Sequence, residues 1–250
     1  VFFALFINPR YPDFMSHGRT IARNAMWLLA ATTGQKFIAF LTFTLVARLV
    51  GAEITGQFFY AISITSVFVV LTDLGMTPVV IREMAQDEES GRSVLRRAIY
   101  GKVSLIPIAI LASVIYAWAV GVSMTLFLAV TLACFVMSAD AVSLLWYGVI
   151  RGMRQLRFEA MGMFIGQALT AIVSVTLAFL GAGPIGLVFG LLCGSTWNVF
   201  WSIRHARRLC AVSAADGSWS ARRLAKAALP FALAGIFVKV YSYADTLMLR

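Results

Sequence analysis

Six apolar stretches, and the start of a seventh, alternate with segments that are by turns arginine-rich and almost free of charge. A water-soluble fold has no reason to keep that rhythm. A bilayer imposes it. A hydrocarbon core roughly 30 Å thick takes about 20 apolar residues per helical crossing, and each crossing must pair its own backbone N–H and C=O groups. The sequence therefore predicts an all-α, polytopic helical membrane protein. Charged residues are 13% of the chain and hydrophobic residues 60%, against roughly 25% charged in soluble domains.

The crossings are expected at residues 25–46, 58–80, 98–119, 124–150, 163–180 and 185–203, with a seventh from 229 onward. Gly181-Ala182-Gly183-Pro184 reads as a tight turn between the fifth and sixth. Before the first crossing, an apolar run cut by Pro9 and Pro12 is too short to span and lacks a small-residue cleavage site. It reads as a loose or interfacial leader.

Orientation follows from the loops. One set carries Arg19 and Arg23; Arg82, Arg92, Arg96 and Arg97; Arg151, Arg154 and Arg157; then Arg204, Arg207, Arg208, Arg222, Arg223 and Lys226. The opposite set has Arg48 beside Glu53, and no charge at 120–123 or in the Gly181 turn. The positive-inside rule puts the amino terminus and the arginine-rich loops in the cytoplasm. The net charge of +10 is thereby a topology signal. With no basic face or reader motif, nucleic acid is not an expected partner. Residues 82–97 read as a charged amphipathic connector. Residues 204–226, with Trp219 at their centre, read as a stretch able to lie on the membrane surface among anionic headgroups.

Ionisable residues inside the spans point to function. Lys36 falls in the first span, Asp140 in the fourth, and Lys239 and Asp245 in the seventh, while Asp73 lies toward the cytoplasmic end of the second. Each costs about 2.5–3.5 kcal/mol at mid-helix on translocon scales, so none should face lipid. Lys36, Asp140 and Lys239 lie at similar depths, and a Lys36–Asp140 contact is possible if the first and fourth helices adjoin. The alternatives for the lysines are snorkelling or a purely structural pair, and Asp245 has the option of reaching the outer headgroups. Together these residues suggest a polar, partly cationic cavity between two helix groups. Gly162 with Gly166, and Gly186 with Gly190 and Gly194, recur every fourth residue and signal close helix packing.

An enzyme is not expected. The chain has no P-loop, no dinucleotide fingerprint, no metal-ligand spacing and no acidic pair suited to magnesium. No resident cofactor or metal follows. His17 and His205 read as surface residues. Cys134, Cys193 and Cys210 read as small hydrophobes without a disulfide framework.

Several stretches in order resemble one family. They are Asn24-Ala25 through Phe37; Gly56-Gln57-Phe58; Leu71-Thr72-Asp73-Leu74-Gly75-Met76 with Arg82-Glu83; Arg151-Gly152-Met153-Arg154 with Arg157-Phe158-Glu159 and Gly162; and Pro230-Phe231-Ala232-Leu233 through Tyr243-Ala244-Asp245-Thr246. Over about residues 18–250 the chain resembles the amino-terminal half of the polysaccharide biosynthesis exporters, the Wzx-type lipid-linked oligosaccharide flippases. These fall in the multidrug/oligosaccharidyl-lipid/polysaccharide exporter superfamily.

The resemblance implies two six-helix bundles working by alternating access. On this chain that would be a leader at 1–23, a first bundle at 24–203, a cytoplasmic linker at 204–228, and the first helix of a second bundle at 229–250, the rest of that bundle being a missing partner. It implies translocation of a polyprenyl-diphosphate-linked oligosaccharide to the outer leaflet for O-antigen, capsule or exopolysaccharide synthesis, with possible coupling to a proton or sodium gradient. Polysaccharide polymerase and glycosyltransferases would be partners, with membrane lipids around the chain. Lys36, Asp73, Asp140, Lys239 and Asp245 would bind substrate or couple ions, and Arg151, Arg154 and Arg157 would line the cytoplasmic mouth. The alternatives are a cation-coupled small-molecule or multidrug antiporter of the same architecture, and a non-transporting fragment.

Overall fold

The computed structural model describes residues 14–210 and 219–248, with side chains for 26–210, 219–235, 237 and 238. All regular structure among them is helical: α1 (Phe14–Phe68), a short 3-10 turn (Val69–Thr72), α2 (Met76–Gln86), α3 (Glu88–Val120), α4 (Met124–Gly152), α5 (Leu156–Phe179), α6 (Gly183–Leu209) and α7 (Ala221–Met248). Five stretches are long and apolar enough to cross a membrane. The first of them, Met26–Thr72, runs for 47 residues. At a rise of 1.5 Å per residue that is about 70 Å, twice the length one crossing needs.

Gly51 divides it. Its φ of 78° and ψ of 175° leave the helical region, a conformation open to a residue without Cβ. The rings of Phe43 and Phe59, eight residues to either side of Gly51, have centroids 5.6 Å apart. A straight helix would separate those residues by about 24 Å. The chain therefore doubles back at Gly51, and α1 supplies two antiparallel arms, residues 14–50 and 52–68.

Local chemistry sets the other boundaries. Asp87 caps α3 by accepting from the Ser90 N–H at 2.9 Å, and Glu88 and Glu89 occupy the first turn, where the helix dipole favours anions. Gly121, with φ 70°, ends α3, and the Ser123 hydroxyl accepts from Leu126 N–H at the start of α4. Gly181, with φ 71°, precedes α6, whose first turn holds Pro184. Gly51, Gly121 and Gly181 thus mark one end of the helix set, which we call the glycine end. Asp87, Arg151 and Trp219 mark the other, the arginine end.

Boundaries differ from the sequence expectation at several points: α1 begins at Phe14, α5 at Leu156 and α7 at Ala221, each before the expected start, and α6 runs on to Leu209. The second crossing was expected to run to residue 80, yet the helix stops at Thr72, and Leu74 (φ 42°) and Gly75 (φ 78°) turn the chain into the separate α2. The charged 82–97 segment is the end of α2 and the first turns of α3, so α3 begins ten residues before the expected third crossing. Hydropathy averages over a window, and a helix that projects beyond the apolar slab in charged residues falls below it.

The densest core lies at the arginine end. Val79, Val80, Val94, Leu95, Leu145, Val149 and Ile150 are buried there with Trp219, Leu224 and Ala228. Trp219 was expected near the membrane surface; it is 3% exposed. Its indole N–H donates to Ser90 Oγ at 3.0 Å, its backbone N–H to Ser93 Oγ at 3.3 Å, and its carbonyl accepts from Arg97 Nε at 3.0 Å. Arg223 lies 4.2 Å over its ring. These satisfied polar groups make an inward position favourable for a ring that carries a donor. Helix α7 accordingly starts on α2 and α3.

Helices α5 and α6 approach through the glycines. A Cβ on Gly166 would stand 2.6 Å from Asn198 Nδ2, one on Gly190 2.0 Å from Ser174 Oγ, and one on Gly194 2.6 Å from the Gly166 carbonyl oxygen. The small-residue spacing read from the sequence does place backbones together.

Candidate functional site

Three sets of charged residues lie within the helices. The first joins the break after the 3-10 turn to α3. Lys102 Nζ donates to Asp73 Oδ1 at 2.7 Å and to the Thr72 carbonyl at 3.2 Å. The Thr77 N–H donates to Asp73 Oδ2 at 3.3 Å, and the Thr77 hydroxyl donates to Asp73 Oδ1. Asp73 is thus held by a cation and by the first turn of α2. Lys102 is absent from the charges weighed in the sequence, although it falls inside the expected third crossing. The signal that finds it is Asp73 itself: a carboxylate at the end of an apolar span requires a counter-charge.

The second set is a polar knot where α4, α5 and α6 meet near the arginine end. Arg151 Nε donates to both Glu159 oxygens, at 3.0 and 2.9 Å. The Glu159 side chain is 1% exposed and that of Arg151 37%. One turn back on α4, Tyr147 OH donates to Asn198 Oδ1 at 2.7 Å, and Asn198 Nδ2 donates to the Gly194 carbonyl. Trp201 Nε1 donates to the Phe158 carbonyl at 2.7 Å. Gly162 makes room for this arrangement: a Cβ there would lie 2.2 Å from Tyr147 OH and 2.4 Å from Trp201. A network satisfied at each donor is rigid, and it binds three helices into one unit.

Of the expected mouth arginines, Arg151 is therefore tied to Glu159. Arg154, in the left-handed region at φ 58°, is exposed in the α4–α5 turn, and Arg157, 4.7 Å over the Phe158 ring, is exposed in the first turn of α5. His205 is no plain surface residue. It is half-buried, stacked on Phe158 at 4.6 Å and against Trp201 at 4.3 Å.

The third set is Lys36 and Asp140. Lys36 lies on the first arm of α1, about 22 Å from Gly51 by helical rise, and is exposed. Asp140 lies in mid-α4, also exposed, with Ser195 of α6 beside it. No Lys36–Asp140 ion pair forms among the described residues. Asp140 is the membrane-embedded carboxylate left without an ionic partner there, since Asp73 has Lys102 and Glu159 has Arg151. Lys239 and Asp245 lie on α7, and their side chains are outside the described residues. Among the described residues no group of His, Cys, Asp and Glu is arranged to hold a metal ion.

Long apolar helices, polar side chains gathered at helix junctions and unpaired charges in mid-span define a multi-span, all-helical membrane protein, an arrangement consistent with transport. The chain belongs to the polysaccharide biosynthesis protein family, whose model matches residues 21–250. No curated protein matches it.

Proposed function

We propose that the protein moves a polyprenyl-diphosphate-linked oligosaccharide from the cytoplasmic to the outer leaflet by alternating access, with the two arms of α1 and helices α3 to α6 as a six-helix bundle and α7 opening a second. The arginine end would face the cytoplasm. The observation that carries the reading is Lys36, exposed in mid-span on a chain whose family builds polysaccharides. A cation held there against lipid is expensive. A wet cavity shared with a diphosphate removes that cost, while the polyprenyl tail stays among acyl chains. Lys239 would supply a second cation. Asp140 and Asp245 would contact sugar hydroxyls or couple to an ion gradient, and Arg151, Arg154 and Arg157 would meet the diphosphate at the mouth. The geometry favours a structural role for Asp73.

Reconstitution in vesicles, with transbilayer exposure of a diphosphate-linked glycan as the readout, tests this. Lys36→Ala combined with Lys239→Ala should abolish exposure; an unchanged rate removes the substrate assignment. The unpaired Asp140 favours a second reading, a cation-coupled small-molecule antiporter. That reading requires transport of organic cations that is lost in Asp140→Asn and indifferent to Lys36.

A further inference from the structure

Lys102 is the one cation that is fully buried among the described residues, and the proposed transport path does not use it. Its ammonium sits between the Thr72 carbonyl oxygen and Asp73 Oδ1, at 3.2 and 2.7 Å. A carbonyl oxygen and a carboxylate oxygen converging on one positive charge form the kind of oxygen donor set that binds hard cations. Here the cation is part of the chain, delivered from α3.

The same carboxylate shapes the turn beside it. Through Thr77 it grips the first turn of α2, and between Asp73 and α2 lie Leu74 and Gly75, both at positive φ. Gly75 packs closely against α7. From the position a Cβ would take, the Ala228 carbonyl oxygen is 2.5 Å away, the Ala232 nitrogen 2.7 Å and Phe231 Cβ 2.9 Å. Leu224 and Ala228 are buried on the same stripe of α7, and Phe231 is half-buried. Of the described residues beyond Ala232, Leu233, Ala234, Gly235 and Phe237 are exposed. Among the described residues the seat of α7 is therefore 221–232, and the turn under it is held by Asp73.

We propose that Lys102 is a built-in cation that positions α7. It fills an oxygen-lined cation site at Thr72 and Asp73, and thereby holds the Leu74–Gly75 turn in the shape on which α7 rests. Removal of the ammonium leaves a vacant site with an uncompensated carboxylate, which a small primary ammonium ion fits and a quaternary one does not, having no N–H to donate. The assignment is independent of what the protein transports.

Hydrogen exchange of the full chain in lipid nanodiscs tests it, comparing the wild type with Lys102→Ala and with the neutral pair Asp73→Asn/Lys102→Met. In Lys102→Ala, amide exchange over 221–232 should rise at least about tenfold, as for a locally released segment, with α6 unaffected. Propylammonium should restore protection, and tetramethylammonium should not. The neutral pair should fold and show no response to either ion. Unchanged protection in Lys102→Ala, failure of propylammonium to restore it, or the same recovery in the neutral pair would each overturn the proposal. If Lys102→Ala folds only when prepared in propylammonium, the proposal stands; if it fails to fold even then, it falls.

Discussion

Arg151 of α4 and Glu159 of α5 face each other with unequal access to water: the carboxylate is sealed, whereas more than a third of the arginine side chain is exposed. That asymmetry predicts unequal costs. Arg151→Met strands a buried charge and should lose about 3–5 kcal/mol. Glu159→Gln should lose less, because the guanidinium can turn outward. Arg151→Met/Glu159→Leu should recover part of the loss, as a double-mutant cycle of unfolding in mild detergent will show.

Glycine positions sort by what surrounds them. Gly194→Ala drives a methyl into Thr170 Oγ1 and the Gly166 carbonyl, and should cost about 1–3 kcal/mol or more through overpacking. Gly56→Ala meets nothing within 4 Å inside a helix and should stabilise by up to about 1 kcal/mol. Thermal unfolding of the two variants should shift in opposite directions.

Trp219→Phe keeps most of the ring and removes the donor to Ser90. It should cost about 1 kcal/mol, against about 3–5 kcal/mol for Trp219→Ala. Limited proteolysis between α6 and α7 should accelerate in the same order.

Burial pushes the Cys210 thiol above its ordinary range, with Arg92, whose Nε lies 3.3 Å from the sulfur, pulling partly the other way. A thiol raised in the folded state contributes stability that is complete below its unfolded pKa and is lost as pH rises past it. Cys210 should resist maleimide at neutral pH, and native stability should fall in the alkaline range; the fall should be absent in Cys210→Ala.

Asp140→Asn should leave stability nearly unchanged, since the side chain is exposed and has no ion pair. Its effect should appear in how translocation in vesicles depends on an imposed proton or sodium gradient. A variant that responds to the gradient as the wild type does would remove Asp140 from coupling.

What the sequence could reveal was set by the range of each interaction. The apolar spans and the turn at Gly181-Ala182-Gly183-Pro184 are local, and they were readable because four residues, or about 20 in a row, suffice to specify them. The α5–α6 approach was readable for the same reason, Gly190 and Gly194 lying one turn apart. The Asp73–Lys102 pair spans 29 positions, and the Trp219–Ser90 bond 129. No periodicity announces such partners. Lys102 lay near the start of the expected third crossing and was passed over, and Trp219 was obscured by a polar context that suited a surface residue equally well. Lys36 and Asp140 were singled out as mid-span charges, and depth alone did not say whether an ion pair would join them; none does among the described residues.

The Trp219 contact also orders events during synthesis. Its partners Ser90 and Ser93 leave the ribosome long before it does, 126 residues ahead in the case of Ser93. Ser90 has Glu83 as a nearby partner, and both serines precede Trp219 by four further crossings threaded into the bilayer. The indole docks on α3, a helix made before α4, α5 and α6, so its arrival ties a late segment of the chain back to an early one. A chain with one span misinserted would present that ring to water and to the quality-control proteases of the membrane.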